Sequence, residues 1–201
     1  MSVSKTVREC YEVRHNREWA NITLRCWSRP VNAGTPHADI DHCGEITIQS
    51  SFGTWGNIWT ACGCPFKVFL QRAEFDYVFT KFMGVHLERF DGDATFAQIQ
   101  KDIVSQRKTS GLTKDEAREA WNLVLDERDR LSGAESDYGY AMLDIGRQLV
   151  PGHDMRDYFN DPAGWPRVTK PDLQATGFWR ELWPSFIEKL REETTLEAEA
   201  A

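Results

Sequence analysis

The side chains best suited to chemistry lie in two patches, His37-Ala-Asp39-Ile-Asp41-His42-Cys43 and Cys62-Gly-Cys64. Imidazole, carboxylate and thiolate are the groups that ligate zinc, and structural zinc sites ordinarily draw them from pairs of the Cys-x-x-Cys kind. A single Cys-x-Cys beside a His-Cys step departs from that spacing, so the sequence favours ordinary thiols; if a metal binds, His37, His42, Cys62 and Cys64 are its ligands. The patches flank a hairpin whose ends would bring them side by side. Paired acids one helical turn apart, Asp126 with Asp129 and Asp154 with Asp157, would suit a shared proton or metal, but in a chain this rich in Asp and Glu they read as a solvated face. The sequence contains no Gly-x-Ser-x-Gly, no Gly-x-x-x-x-Gly-Lys and no Gly-x-Gly-x-x-Gly. No catalytic residue and no cofactor is therefore assigned, and the chain is expected not to be an enzyme; the alternative is a metal-dependent enzyme built on His37, Asp39, Asp41, His42, Cys43, Cys62 and Cys64.

Trp55 and Trp59 share one face of a strand, the arrangement of a stacking platform for single-stranded bases. Such a platform needs cations beside it, and the nearest downstream are Lys67 and Arg72, so core packing is the reading the spacing favours. Charge points the same way. Against 24 Lys and Arg stand 31 Asp and Glu, a net charge of −7, which argues against direct nucleic-acid binding. Residues 1–90 hold 10 basic and 9 acidic side chains, residues 91–201 hold 14 and 22, so the acidity belongs to the second half. Within it, Asp126, Glu127, Asp129, Glu135 and Asp137 flank one predicted helix break and are the candidate surface for a basic partner.

Two periodicities must position these groups. From Val7 to Thr60 apolar residues alternate: Ala20, Ile22, Leu24 and Cys26 give a strand over 18–28, and Ile46 and Ile48 lead through Ser50, Ser51 and Gly53 to Trp55 and Trp59. Arg29 to His42, with Pro30, Gly34 and Pro36, reads as a loop. At Pro65 the period becomes helical, and Phe66, Leu70, Tyr77, Phe79 and Phe82 predict one central apolar helix that stops at Gly84. Residues 94–109 follow, with Asp93 as the cap. Thr113-Lys-Asp-Glu116 opens a helix to about Leu131, and Tyr138, Met142, Ile145 and Leu149 mark another. The Pro- and Gly-rich stretch 151–172 reads as a surface connector with a short turn near Met155 to Phe159, and Trp179 to Leu190 as a last amphipathic helix in which Pro184 is a kink or the start. The expected class is α+β: an antiparallel β region over 1–64, a helical region over 65–193 packed on it, and a frayed tail over 194–201. Five cysteines, an odd count without a secretory signal, are expected as reduced thiols; with no apolar run of bilayer length the protein is expected in the cytoplasm, away from membranes.

The segment Ile46-Thr-Ile-Gln-Ser-Ser-Phe-Gly-Thr-Trp-Gly-Asn-Ile-Trp59, continued by Pro65-Phe66-Lys67-Val68-Phe69-Leu70 and by Asp76-Tyr77 to Lys81, resembles small bacteriophage and prophage proteins of uncharacterised function. Their pattern is a strand, Ser-x-Tyr/Phe-Gly-x-Trp/Tyr, a second aromatic, then a Phe-Leu helix with Tyr and Lys. The match covers about residues 44–105, and here Ser51 directly precedes Phe52. Small acidic phage proteins of this kind often resemble inhibitors of host defence, anti-CRISPR proteins among them. The resemblance implies a partner that is a host defence protein or ribonucleoprotein complex with a basic surface. His153-Asp154 is similar to the ligand pair of the HD phosphohydrolases, but with five His in the chain the further ligands of that motif are lacking.

Overall fold

Alternating side chains in four successive segments pair in order as an antiparallel meander: β1 (Glu9–His15), β2 (Glu18–Val31), β3 (Asp39–Ser50) and β4 (Gly53–Trp59). The structure, a computed structural model, describes residues 5–33, 39–109 and 111–199. Two-residue turns fix the register at both outer hairpins, His15 opposite Glu18 and Ser50 opposite Gly53. The first turn uses Asn16 at φ 55°, and in the second Ser50 Oγ accepts the Phe52 and Gly53 amides. Within the span expected to be a loop from Arg29 to His42, residues 29–31 and 39–42 are strand, since β2 and β3 remain paired out to Val31 opposite Asp39. Pro30 is tolerated there because β1 ends opposite Leu24 and leaves the other edge of β2 open.

The rest of the chain runs α1 (Phe66–Arg72), α2 (Phe75–Met83), a 3-10 turn at Gly84–Leu87, β5 (Glu88–Phe90), α3 (Gly92–Thr109), α4 (Lys114–Asp126) and α5 (Arg128–Leu131). It continues through α6 (Glu135–Gln148), α7 (Arg156–Asn160), β6 (Thr169–Pro171), α8 (Leu173–Glu181) and α9 (Trp183–Glu199). The architecture is α+β. None of the described helices is long and apolar enough to cross a membrane. The chain divides into two compact units, residues 1–87 with 171–201, and residues 88–170, so the division lies in neither place at residue 64. The second unit is an insertion in the first, and β5 and β6 pair where the chain leaves and returns.

In the first unit Val13, Ala20, Ile22, Leu24, Ile46 and Ile48 form the buried face of the sheet. Phe66 and Leu70 of α1, Val78 and Phe79 of α2, Phe178 of α8 and Phe186 and Leu190 of α9 cover it. The single helix expected after Pro65 is two, broken by extended backbone at Ala73 and Glu74. The break has a packing cause: in one straight helix the Phe66–Leu70 and Phe75–Val78–Phe79 stripes would face different ways, whereas two short helices turn both to the sheet. Likewise α8 and α9 replace the single last helix, and Pro184 stands in the first turn of α9, where its missing N–H costs nothing. The tail expected to fray is helical through Glu199.

One ion cluster ties β1, α1 and α9 together. Lys67 Nζ, on a side chain only 13% exposed, lies 2.6 Å from Glu9 and 3.0 Å from Glu193, while Tyr11 OH is 2.6 Å and 2.8 Å from the same two carboxylates. Burial alone would lower the Lys67 pKa, but the hydrogen bonds to Glu9 and Glu193 outweigh it and hold the ammonium above its ordinary range. Burial would likewise raise Glu193, and the bonds from Lys67 and Tyr11 reverse that.

The second unit has its own core of Phe96, Ile99, Ile103, Ala120, Val124, Leu131, Met142, Ile145 and Phe159. Asp91, not Asp93, caps α3, its Oδ1 accepting the Ala94 amide at 3.2 Å. Thr113 and Glu116 form the expected capping box, but the helix they open stops at Asp126, and α5 follows after a break at Glu127 with φ −94° and ψ 12°. The stretch 151–172 is not wholly a surface connector, since His153, Met155 and Phe159 are buried.

Two outcomes test this packing. A Cβ at Gly44 would come within 2.0–2.3 Å of the Phe66 ring; Gly44→Ala is expected to cost about 1–3 kcal/mol in urea unfolding, and adding Phe66→Leu to recover part of that loss. For Lys67→Met the sign follows from Glu193: a carboxylate with a lowered folded pKa stabilises above its unfolded value, near 4.3, and that stability is lost as pH falls through the folded value. The stability gap between wild type and Lys67→Met is therefore expected in full near neutral pH and to narrow below about pH 4.

Candidate functional site

The charge asymmetry seen along the chain disappears once the units are known. The first holds 12 basic and 15 acidic side chains, the second 12 and 16, because the acidic α9 belongs with the sheet. Local arrangement, not net charge, must therefore distinguish a binding surface.

All five candidate carboxylates lie in the second unit, around the α4–α5–α6 breaks. Two are engaged internally. Glu127 accepts from Arg130 at 2.8 Å, and Arg130 also reaches Asp144 of α6 at 3.0 Å, which braces the short α5 between its neighbours. Glu135 pairs with Arg167, whose hydrogen bond holds the Glu135 carboxyl below the usual carboxylate range. Asp126, Asp129 and Asp137 are exposed and, among the described residues, have no ion-pair partner. Asp137 accepts only a long 3.4 Å bond from Ser136. The sequence grouped five acids; the structure separates two that hold the scaffold from three that face outward.

The tryptophan platform is not an exposed one. Alternation along β4 turns Trp55 and Trp59 to the sheet's covered face, where Trp55 packs edge-on against Phe79 at 5.2 Å and Phe178 at 5.4 Å. Trp59 is buried, and its indole N–H donates to Tyr77 OH at 3.0 Å. The second aromatic of the pattern is thus a core residue, as its even spacing with apolar neighbours favoured.

Of the metal-ligand set, His37 lies outside the described residues. The Cys62 amide bonds His42 O at 2.8 Å, so the two patches do meet through the backbone, but the His42 imidazole is engaged with Ser28 Oγ at 3.2 Å. Cys43, buried between them, donates to Thr60 O at 3.1 Å. Among the described residues no group of three or more His, Cys, Asp or Glu is placed to hold a metal ion. Burial first, and the neighbouring Cys43, Cys64 and Cys26 next, push the Cys62 thiol up to about 11. His153 is a structural residue: its Nδ1 accepts the Met155 amide at 3.0 Å, which leaves Nε2 to donate to Glu116 O at 3.2 Å.

A feature missed in the sequence lies between α3 and α4. A groove of about 560 Å³ is lined by Arg107 and Lys108 from α3 and by Lys114, Arg118 and Trp121 from α4, over an apolar floor of Ile103 and Ala117. Lys114, Arg118 and Trp121 stand at i, i+4 and i+7, one helix face, and that spacing was the signal available.

Residues 1–194 match the Phage_phiTE_072 phage family. The chain belongs to it. Among curated proteins and among solved structures none matches this phage-family chain. The family match spans residues of both units.

With its pKa near 11, Cys62 is expected to be alkylated by iodoacetamide more slowly at pH 8 than the exposed Cys10, its rate climbing steeply only towards pH 11, as peptide mass spectrometry would measure.

Proposed function

We propose that this phage-family protein is a binding protein, not an enzyme, that occupies a basic surface of a host defence complex in the cytoplasm of the infected cell, in the manner of anti-CRISPR inhibitors. The observation that carries the reading is the placement of its outward carboxylates. Helix α4 has no basic residue in its last turn and ends on Asp126, while Glu127 both closes α4 and caps α5, so the two acids stand where one helix gives way to the next. Glu127 is compensated by Arg130; Asp126 is not. Among the described residues no cation of this chain pairs with Asp126. A carboxylate held at that position by a braced scaffold is instead ready for a Lys or Arg on another molecule, and Asp129 and Asp137 extend the surface across α5 and the first turn of α6.

A groove that grips nucleic acid is the kind of basic surface such an array fits. Carboxylates at fixed spacing substitute for phosphates and cannot be cut or copied, and complementary charge speeds encounter.

Asp126→Asn/Asp129→Asn/Asp137→Asn is expected to leave the melting temperature within a few degrees of wild type, because none of the three has an ion-pair partner among the described residues. Capture of the target from host lysate should fall at least about tenfold, mainly through slower association, and the variant should lose protection of phage against the matching defence system. Capture and protection equal to wild type would remove the acidic-surface reading.

A further inference from the structure

We propose that the groove between α3 and α4 binds single-stranded nucleic acid, with Arg107, Lys108, Lys114 and Arg118 on the phosphates and a base stacked on Trp121. Four cations line one groove of about 560 Å³, and among the described residues no carboxylate lines it with them. Among the described residues Arg107, Lys108 and Lys114 have no ion-pair partner, and the one partner of Arg118 is Asp115 at 4.0 Å, a side chain 95% exposed. Cations converging without counter-charge repel one another, and an anion in the groove removes that repulsion.

The helix end does not supply the positive charge. The capping box satisfies it from within: Thr113 Oγ1 accepts the Glu116 amide at 3.2 Å, and Glu116 Oε2 accepts the Thr113 amide at 3.1 Å. The groove is therefore a side-chain site, with flexible donors that follow a backbone of phosphates and do not enclose a single one.

Trp121 decides the class of polyanion. Trp121 is partly buried, packs against the core of the second unit and lines the groove together with Lys114 and Arg118. An acidic peptide would use the cations alone, whereas a nucleotide uses both cations and an aromatic face. Lys114 to Trp121 spans about 10 Å of helix axis, a length suited to a few nucleotides. Stacking needs an unpaired base, hence a single strand. The chain's net charge of −7 supplies no general attraction, so binding is confined to this groove and depends strongly on salt.

The test is fluorescence anisotropy of a labelled short oligodeoxythymidylate titrated with the full chain. Binding is expected at low salt, with a log–log salt slope of about −3, from four cations at about −0.7 per phosphate. Lys114→Glu/Arg118→Glu, at two exposed positions, should abolish it, and Trp121→Leu, which keeps apolar bulk, should weaken it about tenfold with little change in slope. Each variant is compared by circular dichroism and melting temperature, so that loss of binding counts only with the fold retained; the charge reversal serves if Trp121→Leu unfolds. Asp126→Asn/Asp129→Asn/Asp137→Asn should bind the oligonucleotide at least as well as wild type, which keeps this site separate from the carboxylate surface. No binding at low salt, binding untouched by the charge reversal, or equal affinity for poly-glutamate with no effect of Trp121→Leu would each overturn the proposal. The last result would assign the groove to an acidic protein.

Discussion

The sheet of the first unit has one apolar face, and no neighbouring stretch of chain can keep it dry alone. Phe66, Leu70 and Phe79 come from α1 and α2, directly after the last strand, but Phe178, Phe186 and Leu190 come from α8 and α9, beyond the insertion. Trp55 rests on both sources, against Phe79 and Phe178. Burial of each large aromatic contributes on the order of 1.5–3 kcal/mol, so a sheet covered by only half of them would be marginal. The Lys67 cluster repeats this dependence in polar form, since its carboxylates are Glu9 of β1 and Glu193 of α9. The first unit is thus closed by segments from both sides of the insertion.

Because the first unit closes without it, the insertion is free to present charge. Helix α4 mixes both signs in its first two turns, with Lys114 and Arg118 beside Asp115, Glu116 and Glu119, and ends on the carboxylate of Asp126. The proposed carboxylate surface and the proposed groove both draw on α4, which supplies Asp126 to the first and Lys114, Arg118 and Trp121 to the second.

Local signals were legible and long-range ones were not. Ser50 and Gly53 set the hairpin, and the Thr113–Glu116 box named the start of α4, because turn and cap chemistry acts within four residues. The α+β class followed from the change of period at Pro65. The break at Ala73 and Glu74 could not be read, since it satisfies a sheet that the local sequence does not contain. Nor could the insertion, because linear charge counts assigned α9 to the wrong unit. In the candidate site the acids were found by their density, but which of them face outward depended on Arg130 and Arg167, and Arg167 lies 32 residues from its Glu135 partner. Half of the groove was written in the sequence, since positions 114, 118 and 121 share one face of the helix that Thr113 opens; its other wall, Arg107 and Lys108, comes from α3 and joins them only through packing.

The split origin of the sheet's cover has a consequence during synthesis. Strands β1 to β4 leave the ribosome before the 83-residue insertion and before α8 and α9, so their apolar face waits while roughly 100 further residues are made. At about 5–20 residues per second that is some 5–20 seconds in which a nascent sheet has α1 and α2 as its whole cover. The insertion, continuous in sequence, can fold within that interval. The order of appearance in the cell is thus the reverse of the order along the chain: the middle is finished before the beginning.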